Sequence, residues 1–363
     1  MDTQLCFDFD AVPEVPATVA APSVLVTGAT GFIGHHMVQR ALDRGFRVWA
    51  ALRSERGRDE LTEMGAEVIV LDYTDIDILR SQLHDFAADN GQWDYIVHCA
   101  GATKCLHKEE FYQSNFVLTK NLVDTLAFLK MQPKLFVFIS SLGAYGLQPE
   151  KEKMPHEAIC EDDTPNPTTA YGVSKLCVEN YLQDLDHFPY VVFRPTGVYG
   201  PREKDYYRLM KSIARHFDFG IGYKRQDITF LHVDDLTAAV FLAIDKMQEG
   251  ALKAGSSYFV SDGRGYSSRD FGRIVQRELQ VSGVLRIVFP LWMGRLVCAA
   301  ADAFGKLTKR VTTLNNDKYQ ILRQRNWLCD IEPLRRDLGF EPQHDLDSGL
   351  RATIDWYRDN GWL

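Results

Sequence analysis

The stretch Ser23-Val-Leu-Val-Thr-Gly-Ala-Thr-Gly-Phe-Ile-Gly34 constrains the fold more than any other part of the chain. A run of β-formers leads into Gly28, Gly31 and Gly34, and the helical spacing Phe32, Ile33, Met37, Val38, Ala41, Leu42 begins before the last glycine has passed. The pattern predicts a strand, a tight turn and a helix N-terminus. Unpaired N–H groups and the positive end of the helix dipole converge on such a turn. An anion such as a pyrophosphate can rest there, and glycine lets it approach the backbone.

Strand and helix then alternate. Apolar runs at Phe46–Leu52, Glu67–Leu71, Trp93–His98, Lys134–Ser140 and Tyr190–Arg194 read as strands, with helices over 109–131 and 170–186. The run at Lys134–Ser140, the fifth strand counting the opening one, reads Leu-Phe-Val-Phe-Ile and is apolar on both faces, as a central parallel strand must be. The order implies an α/β fold, a doubly wound parallel sheet with ligands at the carboxyl ends of its strands. Past Gly200 the pattern loosens into helices near 204–217, 267–280, 291–308 and 348–360, with short strands at 229–232 and 258–261. The expected organisation is a mobile tail over 1–22, a dinucleotide-binding core over 23–200, and a region over 201–363 that is mainly a smaller α/β substrate lobe with some segments returning to the core.

Composition limits the partners. A net charge of −8 across 363 residues, without a basic tract, argues against nucleic acid as the main ligand. The seven cysteines are scattered and lack C-x-x-C spacing, so reduced thiols in a cytoplasmic protein are expected, with no metal site. The most apolar stretch, Ile287 to Ala301, is interrupted by Arg295 and bounded by Asp302. It is too short and too charged to span a bilayer, which leaves peripheral membrane contact open.

Several residues carry chemistry. Arg53 stands at the end of the second strand, where an acidic residue would hold the adenosine ribose of NAD. A guanidinium there suits a 2′-phosphate, so NADP(H) is favoured over NAD(H). Asp72, closing the third strand, is placed either to meet an adenine amino group or to cap the next helix. Ser141 leaves the fifth strand at its carboxyl end, and Tyr171-Gly-Val-Ser-Lys175 opens the following helix. Residues four apart share a helix face, so the Lys175 ammonium is expected beside Tyr171, lowering its pKa and making it a usable general acid or base. Ser141 would hydrogen-bond the substrate oxygen while hydride passes to or from a nicotinamide. Tyr207 and Lys211 have the same spacing but follow no serine turn, and read as a solvated helix face.

Together these motifs resemble the extended (atypical) short-chain dehydrogenase/reductase superfamily, the NAD-dependent epimerase/dehydratase family. The resemblance rests on Thr27-Gly-Ala-Thr-Gly-Phe-Ile-Gly34, Asp72, His98-Cys-Ala-Gly101, Asn115, Ser141, Tyr171 with Lys175, Arg194-Pro-Thr-Gly-Val-Tyr-Gly-Pro201 and His232-Val-Asp-Asp235. It implies a Rossmann-type sheet and a catalytic set of Ser141, Tyr171 and Lys175 supported by Asn115. It also implies cofactor contacts from Gly28, Thr30, Gly31, Phe32, Ile33, Gly34, Asp72, Tyr73, Ala100, Gly101, Tyr171, Lys175, Pro195 and Val198. Asn115 and Asp235 are equally readable as helix caps.

The second strand and the ending Trp327 to Pro342 look most like the 3β-hydroxysteroid dehydrogenase and dihydroflavonol reductase branch. Sugar-nucleotide epimerases and dehydratases resemble the core almost as well. They commonly place an arginine just before the aromatic of the segment that here begins at Phe230, to hold a substrate diphosphate. Ile228-Thr229 occupies that place, and the nearest arginine is Arg225. Phe289, Trp292, Met293 and Val297 are expected either to line an apolar pocket or to pack the lobe. The expected activity is NAD(P)-dependent hydride transfer with a secondary alcohol or ketone of a small, fairly apolar substrate. The alternatives are a nucleotide-sugar epimerase or dehydratase with bound NAD, and a non-catalytic dinucleotide sensor. Relatives commonly dimerise through the helices at 109–131 and 170–186, so a homodimer is expected.

Overall fold

Burial, and not local propensity alone, sets the strands. The computed structural model describes residues 21–312 and 315–363, so the expected tail lies outside the described residues apart from Ala21 and Pro22. In chain order the first half comprises β1 (Ser23–Thr27), α1 (Phe32–Asp43), β2 (Arg47–Leu52), α2 (Arg58–Glu63), β3 (Glu67–Val70), α3 (Ile76–Asn90) and β4 (Tyr95–His98). Then α4 (Lys108–Phe111) passes through a π-helical turn, Tyr112–Val117, into α5 (Leu118–Phe128), followed by β5 (Leu135–Ile139), α6 (Ala170–Gln183) and β6 (Tyr190–Pro195). The remainder is β7 (Gly197–Tyr199), α7 (Lys204–Ala214), β8 (Phe217–Ile221), β9 (Asp227–Ile228), β10 (Phe230–His232), α8 (Val233–Gln248), β11 (Ser256–Val260), β12 (Tyr266–Ser267), α9 (Asp270–Leu279), β13 (Leu285–Phe289), α10 (Leu291–Thr308), α11 (Asn316–Arg323), β14 (Asn326–Trp327), α12 (Glu332–Leu338) and α13 (Leu346–Asp359).

The main sheet has seven strands in the order β11-β6-β5-β4-β1-β2-β3, every neighbouring pair parallel. This is the doubly wound Rossmann-type arrangement. Its order reverses between β1 and β4, so a crevice opens there at the carboxyl ends. Strand β5 shows why the sheet is covered on both faces. Leu135, Val137 and Ile139 enter one core with α1 and α8, while Phe136 and Phe138 enter the other with α3, α5 and α6. Both phenylalanines are fully buried, each contributing about 1.5–3 kcal/mol of transfer free energy.

The strand near Tyr258 is one of the segments past residue 200 that return to the core: it is β11, the edge of the main sheet, with Tyr258 opposite Phe193. Its apolar residues bury against β6 and α12, and α8 packs on α1, so residues 233–260 return to the core. The helix expected over 109–131 is interrupted by the π turn, which adds a residue to the winding and turns Asn115 inward. In the lobe, α7, α9 and α13 share a core around Met210, Phe271 and Tyr357. A parallel pair, β8 and β13, was not anticipated at all.

Candidate active site

At the β1–α1 turn each glycine answers a different constraint. Gly28 has φ +68, and a Cβ on it would fall 2.8 Å from the Ala100 nitrogen. A Cβ on Gly34 would fall 2.1 Å from the Gly28 carbonyl oxygen, so glycine is what lets α1 close on the turn. Gly31 is the helix N-cap and offers no side-chain cap, and the first turn carries no acidic residue. The leading N–H groups of α1 are therefore left for an external acceptor.

The cleft above this turn is lined by Gly28, Thr30, Gly31, Arg53, Tyr73, Ala100 and Gly101, all expected cofactor contacts, together with Ala102, Ser114 and Thr119. Arg53 is exposed on its wall. The Tyr73 hydroxyl is buried without a hydrogen-bond partner, and burial pushes its pKa up. An uncapped helix terminus, a glycine cradle and an orphaned hydroxyl on one wall fit a dinucleotide. Phe32, Ile33, Gly34, Asp72, Pro195 and Val198 are not among the residues lining this cleft. Ile33 and Val198 pack partly buried against the core. Asp72 does not cap the following helix. That role falls to Asp75, which accepts from Asp77 N and Ile78 N, while Asp72 accepts from Thr74 N at 2.8 Å.

The β4 loop is held by residues that the sequence pattern named without explaining. Asn115 accepts from Ala102 N at 2.6 Å, donates to Ala102 O at 3.0 Å and donates to Ser174 Oγ at 2.9 Å. It lies inside a helical run, so the capping reading of Asn115 fails. Gly101 is squeezed between Asn115 and Lys175, where an added Cβ would meet Oδ1 at 3.2 Å and Nζ at 3.3 Å. His98 bridges Thr27 Oγ1 and Thr119 Oγ1, each at 2.9 Å, and burial pushes its pKa down to about 3. It is thus a neutral strut between β4, β1 and α5.

Ser141, Tyr171 and Lys175 converge beside this loop. Thr169 caps α6 by accepting from Gly172 N, and Asp317 of α11 accepts from Ala170 N at 2.8 Å, so α11 grips α6 at its start. Ser141 Oγ accepts from Gly143 N at 3.1 Å. Burial pushes the Tyr171 phenol up to about 12, offset in part by a side-chain hydrogen bond with Ser141. Burial lowers the Lys175 ammonium to about 8, opposed by Cys99 and Glu179. The expected lowering of the Tyr171 pKa by Lys175 is not present. Lys175 Nζ donates to the Ile139 carbonyl at 2.8 Å and stands 6.0 Å from the Tyr171 ring centre, so desolvation dominates the phenol.

Sequence reasoning missed a charged network directly behind these groups. Glu179 accepts from Ser140 Oγ and from Arg194 Nε, the latter at 2.9 Å, and Arg194 also pairs with Glu161. Its guanidinium lies over the Tyr145 ring, 4.6 Å from the centre. The signal was available. Glu179 falls four residues after Lys175 on the same helix face, and an arginine in a buried strand demands an acid. Asp235 likewise is no cap: His232 caps α8, and Asp235 accepts from Gln343 N and His344 N. Lys211 does donate to Tyr207 at 2.8 Å, but Tyr207 in turn bonds the Trp362 carbonyl, so the pair fastens the C-terminus and is not a solvated face. Among the described residues only His232, Asp234 and His344 cluster as metal ligands could.

A family model described as NAD dependent epimerase/dehydratase family matches residues 24–255. Ceramide reductase of Caulobacter vibrioides is 25% identical over 355 residues, spanning 96% of this chain and 98% of its own. UDP-glucose 4-epimerase of Vibrio cholerae is 26% identical over 346 residues, spanning 91% of this chain and 94% of its own. The crystal structure of UDP-glucuronic acid 4-epimerase from Bacillus cereus in complex with NAD shares the fold, with a TM-score of 0.69 at 20% identity over 94% of this chain and 100% of that one.

Proposed function

Since the chain belongs to the NAD dependent epimerase/dehydratase family, we propose that it is an NADP(H)-preferring reductase or dehydrogenase acting on a ketone or secondary alcohol of a small, fairly apolar substrate. The observation that carries the choice against a nucleotide-sugar substrate lies just before Phe230. Thr229 is buried there, its hydroxyl donating to the Trp327 carbonyl at 2.8 Å. Arg225, the nearest guanidinium in sequence, is turned onto Asp227 at 2.8 Å. A diphosphate would find no bidentate cation at this position. Arg53 on the cleft wall supports a 2′-phosphate and hence NADP(H).

In this reading the turn at Gly28 and Gly31, with the α1 N-terminus, holds the pyrophosphate, and Tyr73 and Arg53 flank the adenosine end. The bound nicotinamide supplies or accepts the hydride. Tyr171, protonated across the working pH range, gives its proton to the carbonyl oxygen, and Ser141 hydrogen-bonds that oxygen and orients it. Lys175, anchored on the Ile139 carbonyl, fixes the helix that carries Tyr171 against the end of β5. Asn115 holds the loop that carries Ala100 and Gly101. Turnover of NADPH with a panel of apolar ketones, compared between the parent and Tyr171→Phe, tests the proposal. Consumption by the parent and none by the variant is the expected result.

The relatives named as epimerases favour a second reading, in which NAD stays bound and the hydride returns to the same substrate. Mass spectrometry of protein purified without added cofactor separates the two, since stoichiometric NAD carried through purification belongs to the second.

A further inference from the structure

Helix α10 is built inside out. Its buried positions are Gly294, Cys298 and Gly305, all small, whereas its bulky apolar side chains face solvent. Trp292 is 64% exposed, Leu296 61%, Phe304 62% and Leu307 83%. Of the four residues expected to line a pocket or pack the lobe, Phe289 and Met293 are half-buried, whereas Trp292 and Val297 face outward. The cause is close approach: a Cβ on Gly294 would lie 2.1 Å from Ile221 Cδ1, so only a small-residue face can seat on β8. The apolar surface continues onto the adjoining strands. Phe217 stacks on Phe219 at 6.1 Å, and Phe219 on Phe289 at 6.2 Å, immediately before α10 begins.

Charge identifies what covers this face. From Arg286 to Val311 the chain carries Arg286, Arg295, Lys306, Lys309 and Arg310 against a single acid, Asp302, in a protein of net charge −8. Arg286 pairs with Asp218 and Lys306 with Asp302, and Asp302 also bonds Asn316. Arg295, Lys309 and Arg310 are exposed and make no ion pair with another described residue. A second copy docked about a two-fold axis would bring two copies of this net-positive patch into one interface. An anionic lipid surface satisfies both halves of the pattern. The aromatic and aliphatic side chains enter the headgroup and acyl boundary while arginine and lysine stay with the phosphates.

We propose that α10, with the outer face of β8 and β13, is a peripheral docking surface for anionic bilayers, the helix lying in the interface plane. No described helix is long and apolar enough to cross a membrane, so the contact is one of surface binding. The helix also flanks α11, whose Asp317 accepts from Ala170 N at the start of α6. This inference does not depend on which reaction the site performs.

The test is flotation of the full chain with vesicles of equal parts phosphatidylglycerol and phosphatidylcholine, and with phosphatidylcholine alone. Binding to the anionic vesicles, weakened by added salt, is expected, with little on the neutral ones. Trp292→Ser with Leu296→Ser and Phe304→Ser should lower binding by more than about tenfold through lost apolar burial. Lys309→Glu with Arg310→Glu should lower it by about tenfold or more. Both variants should keep the parent's thermal unfolding, because the altered side chains make few internal contacts. Failure of the parent to float, equal binding to both vesicles, or binding unchanged in both variants would each overturn the proposal. So would light scattering that shows a dimer lost in the apolar variant, with no vesicle binding by the parent.

Discussion

Lys175 Nζ donates to the Ile139 carbonyl at 2.8 Å, tying the middle of α6 to the last residue of β5. Ser141 follows two residues beyond that carbonyl, and Tyr171 stands one turn before the lysine. A single buried hydrogen bond therefore fixes the spacing between the two groups proposed to act on the substrate oxygen. Glu179, one turn further on, repeats the tie through Ser140 and Arg194. The face of α6 that carries Tyr171 is consequently held at two levels on one helix stripe, at Lys175 and at Glu179.

Replacing Tyr171 with Phe removes the phenol proposed to give its proton to the substrate oxygen and keeps the ring in place. Turnover should fall by about a hundred- to ten-thousandfold, while NADPH affinity, read by fluorescence titration, stays near that of the parent. Loss of affinity in parallel with turnover would mean that Tyr171 serves binding.

Arg53 is exposed and has no carboxylate partner among the described residues, so Arg53→Ala disturbs the fold little. Losing a charge-assisted contact to a 2′-phosphate should weaken NADPH by about ten- to a hundredfold and leave NADH unchanged. Equal effects on both, or none, would remove Arg53 from the site.

Asn115→Ala strands the Ala102 N–H and carbonyl and frees Ser174 from one partner. Each buried group left unsatisfied costs about 1–3 kcal/mol, so thermal unfolding should move down by several degrees and turnover should fall with it. Gly34→Ala should be harsher, because its Cβ would sit 2.1 Å from a backbone oxygen that cannot retreat. Gly45→Ala, where the added Cβ meets open space at φ +77, should cost about 1 kcal/mol of backbone strain. Similar melting losses in these two glycine variants would contradict the packing role of Gly34.

Lys175 is lowered from 10.5 to about 8 by burial. Between those values the unfolded chain holds a proton that the folded chain has released, so its contribution to stability rises with pH across that window. Activity should move the other way. As the ammonium is lost above about pH 8, its charge-assisted hydrogen bond to the Ile139 carbonyl weakens, the tie that sets the spacing of Ser141 and Tyr171 loosens, and the reduction rate falls. Rate and melting profiles of the parent should diverge there, and Lys175→Met should show neither slope.

The parts legible from sequence were those in which one local constraint dictates residue type. Gly28 and Gly34 stand where a left-handed turn and a close approach allow nothing larger, and the β5 run is apolar because both its faces are covered. What escaped depends on partners distant in the chain. Whether the strand at Tyr258 joins the lobe or the main sheet is decided by Phe193, and nothing in its own residues says so. The π turn around Asn115 shifts the helical register by one residue, below what periodicity resolves. For α10 the spacing of apolar residues was visible, but which stripe faces inward was set by Ile221 on β8. The Tyr171 pKa also escaped, because spacing places Lys175 on the right face without showing that Ile139 claims its ammonium.

Net consumption of NADPH by the purified chain, followed by its near-ultraviolet absorbance with an apolar ketone present, bears most directly on the proposed chemistry. Stoichiometric conversion of NADPH and ketone to NADP and alcohol, abolished in Tyr171→Phe, is the expected result. Protein that carries a full equivalent of NAD and interconverts a nucleotide sugar with no net change in cofactor would contradict it.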